Sequence, residues 1–336
     1  MDDLKIGLTG YGDFGKEHAA AISAVRGAQL TCVCVGTEET ARQVRTLTGL
    51  EVFTDYEDFL ERGDMDVVDI VSPNHLHAEQ LTKAMVRGKD ALLEKPIANE
   101  LGEARKLVEQ HRTHPVRVQV GFQSRYDPFW MRFKRSLDSG EIASPAFARL
   151  ENWRRPFRLV SAGWRADQSK VGHYMVHHAI HRFDLAAWLF GMPHRISGFT
   201  DSPLTWNAGR YGNAFTLMEY SGGPKVVIME SSNGSSDYIM GAISGEGAIF
   251  GMYSSDGGDS EPAWIEVRDM VGNFNREKLA RPKGGALVSE IQDFLDAIRN
   301  GRDPAVTLED GFRAQLLAST AITAIGTNDI LGVPGY

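Results

Sequence analysis

The chain opens Leu4-Lys5-Ile6-Gly7-Leu8-Thr9-Gly10-Tyr11-Gly12-Asp13-Phe14-Gly15, a short apolar run followed by three glycines spaced G-x-G-x-x-G. Leu4, Ile6 and Leu8 suit the first buried strand of a parallel sheet. An alanine-rich helical segment over residues 14–25 follows at once. Each glycine answers a different physical need. Gly10 turns the chain tightly, Gly12 lets backbone approach a pyrophosphate, and Gly15 lets the helix sit close on the strand. The N–H groups and positive dipole end of that helix then face phosphates. In a chain with 35 glycines the pattern alone is weak, and the strand before it and helix after it give it meaning. A dinucleotide site is expected at Gly10, Tyr11, Gly12, Asp13, Phe14 and Gly15.

The alternation continues outward from that turn. Apolar runs at 29–35, 52–53, 67–71, 91–93 and 116–120 read as strands, and 38–48, 56–61, 75–87 and 101–114 as helices. Strand and helix in turn at this spacing predict a doubly wound α/β Rossmann domain over residues 1–121. Ligands in such sheets lie beyond the carboxyl ends of the strands. That rule adds Gly36, Thr37, Ser72, Pro73, Asn74, His77, Glu94 and Lys95 to the expected cofactor contacts. An acidic residue at the end of the second strand selects NAD. Val35 and Gly36 stand there, with Glu38 and Glu39 close by, while Thr37 and Arg42 suit a 2′-phosphate. NAD and NADP both stay open.

At 336 residues two domains are expected. A hydrophobic content of 42% and charged content of 24% are ordinary for a soluble protein. A net charge of −8 argues against nucleic-acid binding, which needs a basic field. Cys32 and Cys34, the only cysteines, alternate with valines and read as buried small hydrophobes. No signal peptide and no apolar run long enough to span a bilayer is seen, which fits a cytoplasmic protein without a membrane partner.

Beyond residue 121 the pattern changes. Helical segments at 129–137, 176–190, 287–299 and 308–325 flank strand-like runs at 146–153, 215–218, 225–229, 238–243, 248–253 and 264–267. Strands in succession predict an α+β second domain, residues 122–336, with a large, mainly antiparallel open sheet. An uncovered apolar sheet face predicts self-association as a homodimer or homotetramer.

Three stretches carry chemistry. Glu94-Lys95-Pro96 ends a buried strand at the rim, where a lysine can hydrogen-bond a substrate hydroxyl and ease its deprotonation. Gly172-His173-Tyr174-Met175-Val176-His177-His178-Ala179-Ile180-His181-Arg182-Phe183-Asp184 places His173, His177 and His181 four apart, on one face of a continuous helix. Neither H-E-x-x-H nor a nearby carboxylate or cysteine ligand accompanies them, so no metal is expected and acid–base work is favoured. Finally Arg149, Arg154, Arg155, Arg158, Arg165 and Lys170 face only Glu151 and Asp167 along the same stretch. Such local charge points either to an anionic group on the ligand, with Trp153 and Trp164 suited to stack on a pyranose, or to an intersubunit or solvated loop.

Together Gly10-Tyr11-Gly12-Asp13-Phe14-Gly15, Ser72-Pro73-Asn74-His75-Leu76-His77, Glu94-Lys95-Pro96, Arg125-Tyr126-Asp127-Pro128 and His181-Arg182-Phe183-Asp184 resemble the successive motifs of the Gfo/Idh/MocA oxidoreductases. The resemblance covers nearly the whole chain. It implies a cofactor shared between a Rossmann domain and an α+β domain, with Lys95 and His181 at the reacting carbon and sugars or cyclitols as substrates. One departure stands out. The family segment D-x-G-x-H puts an aspartate four residues before the histidine, and His177 occupies that position here.

The expected activity is therefore an NAD(P)-dependent dehydrogenase acting on a ring hydroxyl of a sugar, cyclitol or anionic sugar derivative. His181 takes the hydroxyl proton, Lys95 and His177 assist, and Asp184 supports the helix or Lys95. Arg125, Trp153, Arg155, Trp164, Arg165 and His173 join Lys95, His177 and His181 as expected substrate contacts, and Arg125 also as a cofactor contact. Two rivals remain: a redox-neutral glycoside hydrolase using bound NAD, and a non-catalytic dinucleotide-binding regulator.

Overall fold

The computed structural model describes residues 3–155, 163–201, 212–232, 237–254, 263–280 and 285–335. The chain forms two compact units. One is Met1–Gln123 with Leu287–Phe312, the other Ser124–Ala286 with Arg313–Tyr336.

In the first unit β1 (Leu4–Thr9), β2 (Ala28–Cys34), β3 (Glu51–Phe53), β4 (Val67–Ile70), β5 (Asp90–Leu93) and β6 (Val118–Val120) alternate with α1 (Asp13–Ala24), α2 (Glu38–Thr48), α3 (Tyr56–Arg62), α4 (Asn74–Val86) and α5 (Leu101–Thr113). The six strands are parallel in the order β3-β2-β1-β4-β5-β6. This is the order of a dinucleotide-binding sheet, whose crevice opens where the chain reverses direction between β1 and β4. Local chemistry sets the helix ends. The Thr37 hydroxyl accepts the Thr40 N–H at the start of α2, and Asp55 accepts two N–H groups at the start of α3. Gly49 ends α2 in the left-handed region, at φ 70°. Cys32 and Cys34 are buried free thiols in β2.

The second unit holds α6 (Pro128–Asp138), β7 (Ala143–Trp153), α7 (Gln168–Val171), α8 (Ile180–Phe190), β8 (Arg195–Thr200), β9 (Asn213–Glu219), β10 (Lys225–Ser231), β11 (Tyr238–Ser254), β12 (Ala263–Arg268) and β13 (Phe274–Leu279). After α9 (Gly285–Arg299) come α10 (Leu308–Thr327) and the short β14 (Leu331–Gly332). The sheet runs β13-β12-β11-β7-β10-β9-β8-β14. β7 and β10 are parallel and the other neighbours antiparallel. One face packs on the aromatic side chains of α6. A methyl on Gly241 would lie 2.9 Å from the Trp130 ring and one on Gly251 2.6 Å from Phe129, so glycines in β11 make room for that helix. Phe147, Phe199, Leu217, Phe250 and Trp264 are exposed.

Three features differ from the expectations. A boundary at 121 assigns all of 122–336 to the second domain, but α9 packs in the first unit. Its Leu287, Ile291, Phe294 and Leu295, spaced along one helical stripe, share a core with Ile6, Ile22, Val67 and Leu92. The runs 238–243 and 248–253 are one strand, because the Ser244/Glu246 irregularity bends β11 without ending its pairing with β7. Residues 274–279 form a strand that polar composition hid. Among the described residues no helix is long and apolar enough to cross a membrane.

Replacing Phe294 by Ala is expected to destabilise the first unit by about 3–5 kcal/mol, read in urea unfolding of the full chain. A near-neutral result would show that α9 does not hold the first sheet.

Candidate active site

The glycine turn after β1 has the geometry its sequence promised. Gly10 sits at φ +91°, a conformation that L side chains rarely adopt, and its N–H donates to Cys34 O at 2.9 Å. A methyl on Gly10 would meet Val71 O at 2.6 Å, and one on Gly15 would meet Gly10 O at 2.2 Å. Gly12 is different: among the described residues nothing lies within 4 Å of a methyl placed there. It is also the N-cap of α1, with no side-chain cap among those residues. The fold needs glycine at 10 and 15, whereas at 12 the open space suits a pyrophosphate at the helix N-terminus. Tyr11 lies against Val33, Val35, Ala41, Val44 and Val52, and Phe14 meets the His18 ring edge-on at 4.8 Å. Asp13 stands in the first turn of α1.

The other rim segments are held from behind. Gly36 has open space where a side chain would stand. The Thr37 hydroxyl serves as the α2 cap and lies 2.9 Å from the Thr40 hydroxyl. Glu38 accepts from Thr54 at 3.1 Å and faces Arg45 at 3.5 Å. The Ser72 hydroxyl donates to Gln80, and Pro73 and the buried Asn74 open α4. His77 is buried with Nδ1 2.7 Å from Pro96 O and Nε2 2.8 Å from Ser72 O. Burial lowers its pKa against the pull of those carbonyls. Both ring nitrogens are thus engaged by main chain, so His77 ties the Ser72 loop to the segment holding Lys95 and does not present a nitrogen to a cofactor. The Lys95 N–H donates to Glu94 Oε2 at 3.2 Å.

In the second unit Arg125 clamps Asp184 through Nε at 3.0 Å and Nη2 at 2.6 Å. Both are buried. The Asp184 carboxylate thus answers the Arg125 guanidinium within this unit. The histidines do not ride one α-helix either. Met175–Ala179 is a π-turn leading into α8, so four-residue spacing no longer aligns His173, His177 and His181. His173 Nδ1 accepts the Met175 N–H at 3.1 Å, and burial lowers its pKa to about 4. The His177 ring meets Trp164 edge-on at 5.9 Å, and Arg165 lies 4.6 Å over Trp164. His181, at the start of α8, is half-buried.

The basic stretch is largely answered by acids. Arg149 pairs with Glu151 at 3.2 Å, Lys170 with Asp167 at 3.4 Å, and Arg154 and Arg155 approach Asp237 at 3.7 and 3.6 Å. Trp153 is exposed at the end of β7. Arg158 lies outside the described residues. The case for an anionic ligand, which rested on uncompensated charge, weakens accordingly.

Sequence reasoning missed a buried polar network beside the π-turn. Asn152 donates to Glu230 Oε2 at 2.8 Å, Tyr174 donates to the same oxygen at 3.4 Å, and Ser232 donates to Tyr174 at 3.3 Å. Arg182 Nε is 3.5 Å from Glu230 Oε1, and burial raises the Glu230 pKa. His178 Nε2 accepts from Arg154 at 3.0 Å and faces the Asn152 amide at 3.3 Å. The signal was present: Val226, Ile228 and Glu230 share the buried phase of β10, as Ala148, Leu150 and Asn152 do on β7. Among the described residues no group of three or more His, Cys, Asp or Glu is placed to hold a metal ion.

Comparison with known proteins agrees with this geometry over most of the length. The model of an oxidoreductase family with an NAD-binding Rossmann fold matches residues 4–122, and that of the family's C-terminal alpha/beta domain matches 134–330. The chain belongs to the Gfo/Idh/MocA oxidoreductase family. Among curated members, the scyllo-inositol 2-dehydrogenase (NAD(+)) of Bacillus subtilis is 28% identical over 321 residues, spanning 90% of this chain and 89% of that protein. The inositol 2-dehydrogenase of Rhizobium meliloti is 25% identical, with 96% and 97% covered. In fold, the Gfo/Idh/MocA chain is similar to levoglucosan dehydrogenase in complex with NADH and levoglucosan, with TM-score 0.88, 21% identity, and 99% and 100% covered.

Within this family member the glycines separate experimentally. Gly15→Ala is expected to lower the melting temperature, because its methyl meets a carbonyl. Gly12→Ala is expected to leave melting nearly unchanged yet weaken NADH binding by about ten-fold or more, a loss of at least about 1.4 kcal/mol. Unchanged NADH affinity in Gly12→Ala, measured by fluorescence titration, would remove the pyrophosphate from this turn.

Proposed function

We propose that this chain oxidises a ring hydroxyl of a neutral cyclitol or sugar with NAD+ as the acceptor. The observation carrying this is Gly12, which stands at the N-cap of α1 with nothing among the described residues within 4 Å of a methyl placed there, where a pyrophosphate would lie. When bound, NAD supplies a nicotinamide carbon that accepts hydride. Gly10–Gly15 and the α1 N-terminus hold its pyrophosphate, with Ser72–Asn74 and Gly36 lining the same rim. Lys95 hydrogen-bonds the substrate hydroxyl and lowers the cost of removing its proton, and His181 accepts that proton. His177, edge-on to Trp164, lines the substrate side. Full-length similarity to inositol dehydrogenases supports a cyclitol, and the pairing of the arginines favours a neutral one.

NAD is favoured over NADP by Glu38 and Glu39 in the first turn of α2, whose charges oppose a 2′-phosphate, and by the use of the Thr37 hydroxyl as a cap. The exposed apolar side chains of the second sheet favour a homo-oligomer, with a second copy covering that face. Trp264→Lys with Phe250→Asp is expected to yield monomer in light scattering. An unaltered mass would place the subunit contact elsewhere.

Assays with myo-inositol, scyllo-inositol and a set of neutral sugars are expected to yield NADH absorbance, with NADP+ at least about ten-fold less effective. Lys95→Ala is expected to lower kcat by about 100-fold or more. Retained turnover would take Lys95 out of the chemistry, and release of an aglycone without net NADH would favour the hydrolase.

A further inference from the structure

The face of the first sheet that packs on α1 changes character along the strands. Ile22, Val67 and Leu92 form an apolar row in the core. One step toward the carboxyl rim, the residues on the same faces lie four earlier on the helix and two later on each strand. They are His18, Asp69 and Glu94, with relative exposures of 1%, 1% and 4%.

His18 Nδ1 is 2.8 Å from Asp69 Oδ2, and its Nε2 is 3.5 Å from Glu94 Oε1. Neither that nitrogen nor that oxygen has a hydrogen-bond partner among the described residues. Each is the nearest answer to the other. That same Glu94 oxygen is boxed in, since a methyl on Gly121 would overlap it. Its second oxygen takes the Lys95 N–H at 3.2 Å.

We propose that His18 is a positioning residue for Lys95: as a buried imidazolium it holds the Glu94 carboxylate, which in turn fixes the Lys95 main chain relative to the helix after the glycine turn. The inference rests on the reading of Lys95 as the group that engages the substrate hydroxyl.

The charge state follows from the geometry. A neutral ring donating from Nδ1 to Asp69 would aim the Nε2 lone pair at a carboxylate lone pair. A proton on Nε2 turns that repulsion into attraction. Burial opposes the charge, but Asp69 and then Glu94 outweigh it and raise the His18 pKa from 6.5 to about 10. Asp69 from β4 and Glu94 from the end of β5 are the charged groups facing the ring, and from α1 itself only the uncharged Phe14 edge adds a contact. With the folded value above the unfolded one, this stabilisation is complete below pH 6.5 and is lost as pH rises through about 10.

The test uses the full chain with 15N-labelled histidine. At pH 8 one ring is expected to show both nitrogens protonated, and His18→Gln is expected to remove that signal. Glu94→Gln is expected to lower its titration midpoint by about one pH unit or more. A neutral His18 ring at pH 8, with the proton on Glu94, overturns the proposal. Lys95 is read without catalysis, by 13C-dimethylation assigned with Lys95→Arg. Its signal is expected to move in His18→Gln while other lysines stay, and an unmoved Lys95 signal also overturns the proposal.

With NAD+ and myo-inositol, His18→Gln is expected to lower kcat about ten-fold with KM and NADH affinity within about two-fold, a barrier change of about 1.4 kcal/mol. His18→Gln with Glu94→Gln, which keeps an acceptor for the Lys95 N–H and removes one buried charge, is expected to recover part of that loss. If His18→Gln fails to fold, the double variant carries the Lys95 readout. Absence of turnover in the unaltered chain counts against the proposed function, while the histidine and lysine signals still decide the positioning role.

Discussion

A carbonyl oxygen and a missing methyl group set the terms for the first unit. The helix after β1 passes so close to Gly10 O that a side chain at residue 15 would overlap it by more than an ångström of normal contact. That approach sets the start of α1 at the carboxyl ends of β1 and β4, and it brings the helix low enough for His18 to reach Asp69 and Glu94. Glycine at 10 and 15 is therefore a packing demand. Gly12 is the one position of the three whose absence of side chain the protein alone does not explain.

Much of the fold was legible because parallel strands buried on both faces read as apolar runs and the helices between them carry caps and charges. Legibility failed where the signal depends on a partner distant in sequence. The stripe Leu287, Ile291, Phe294 and Leu295 marks α9 as amphipathic but does not say which sheet it covers. A strand such as Phe274–Leu279, half-exposed at a sheet edge, has little apolar alternation to betray it. Bulges hide as well, since β11 keeps its pairing across a break that reads as a turn.

The candidate site was legible in the same uneven way. Glycines and the Glu94-Lys95-Pro96 segment announce themselves, because few other structures need those residues together. Buried polar residues inside apolar strands do not. Asp69 stands within Val67-Val68-Asp69-Ile70 and Glu230 follows Val226, Ile228 at the same phase, so each reads as an interruption until its partner is known. Some residues expected at the ligand also have partners within the protein. His77 is held by two carbonyls, Arg125 by Asp184, and the Thr37 hydroxyl by its own helix.

The π-turn at Met175–Ala179 has a further meaning for how such a protein can change. A wider turn absorbs one extra residue, so the angular phase of His177 and His178 is uncoupled from that of Arg182 and Asp184 downstream. Arg125 holds the downstream half in place. Loss of a single residue from the turn would swing the histidines by roughly a quarter of a revolution while leaving the anchored half alone. The helix thus works like a clutch plate, in which one half can turn while the other stays engaged.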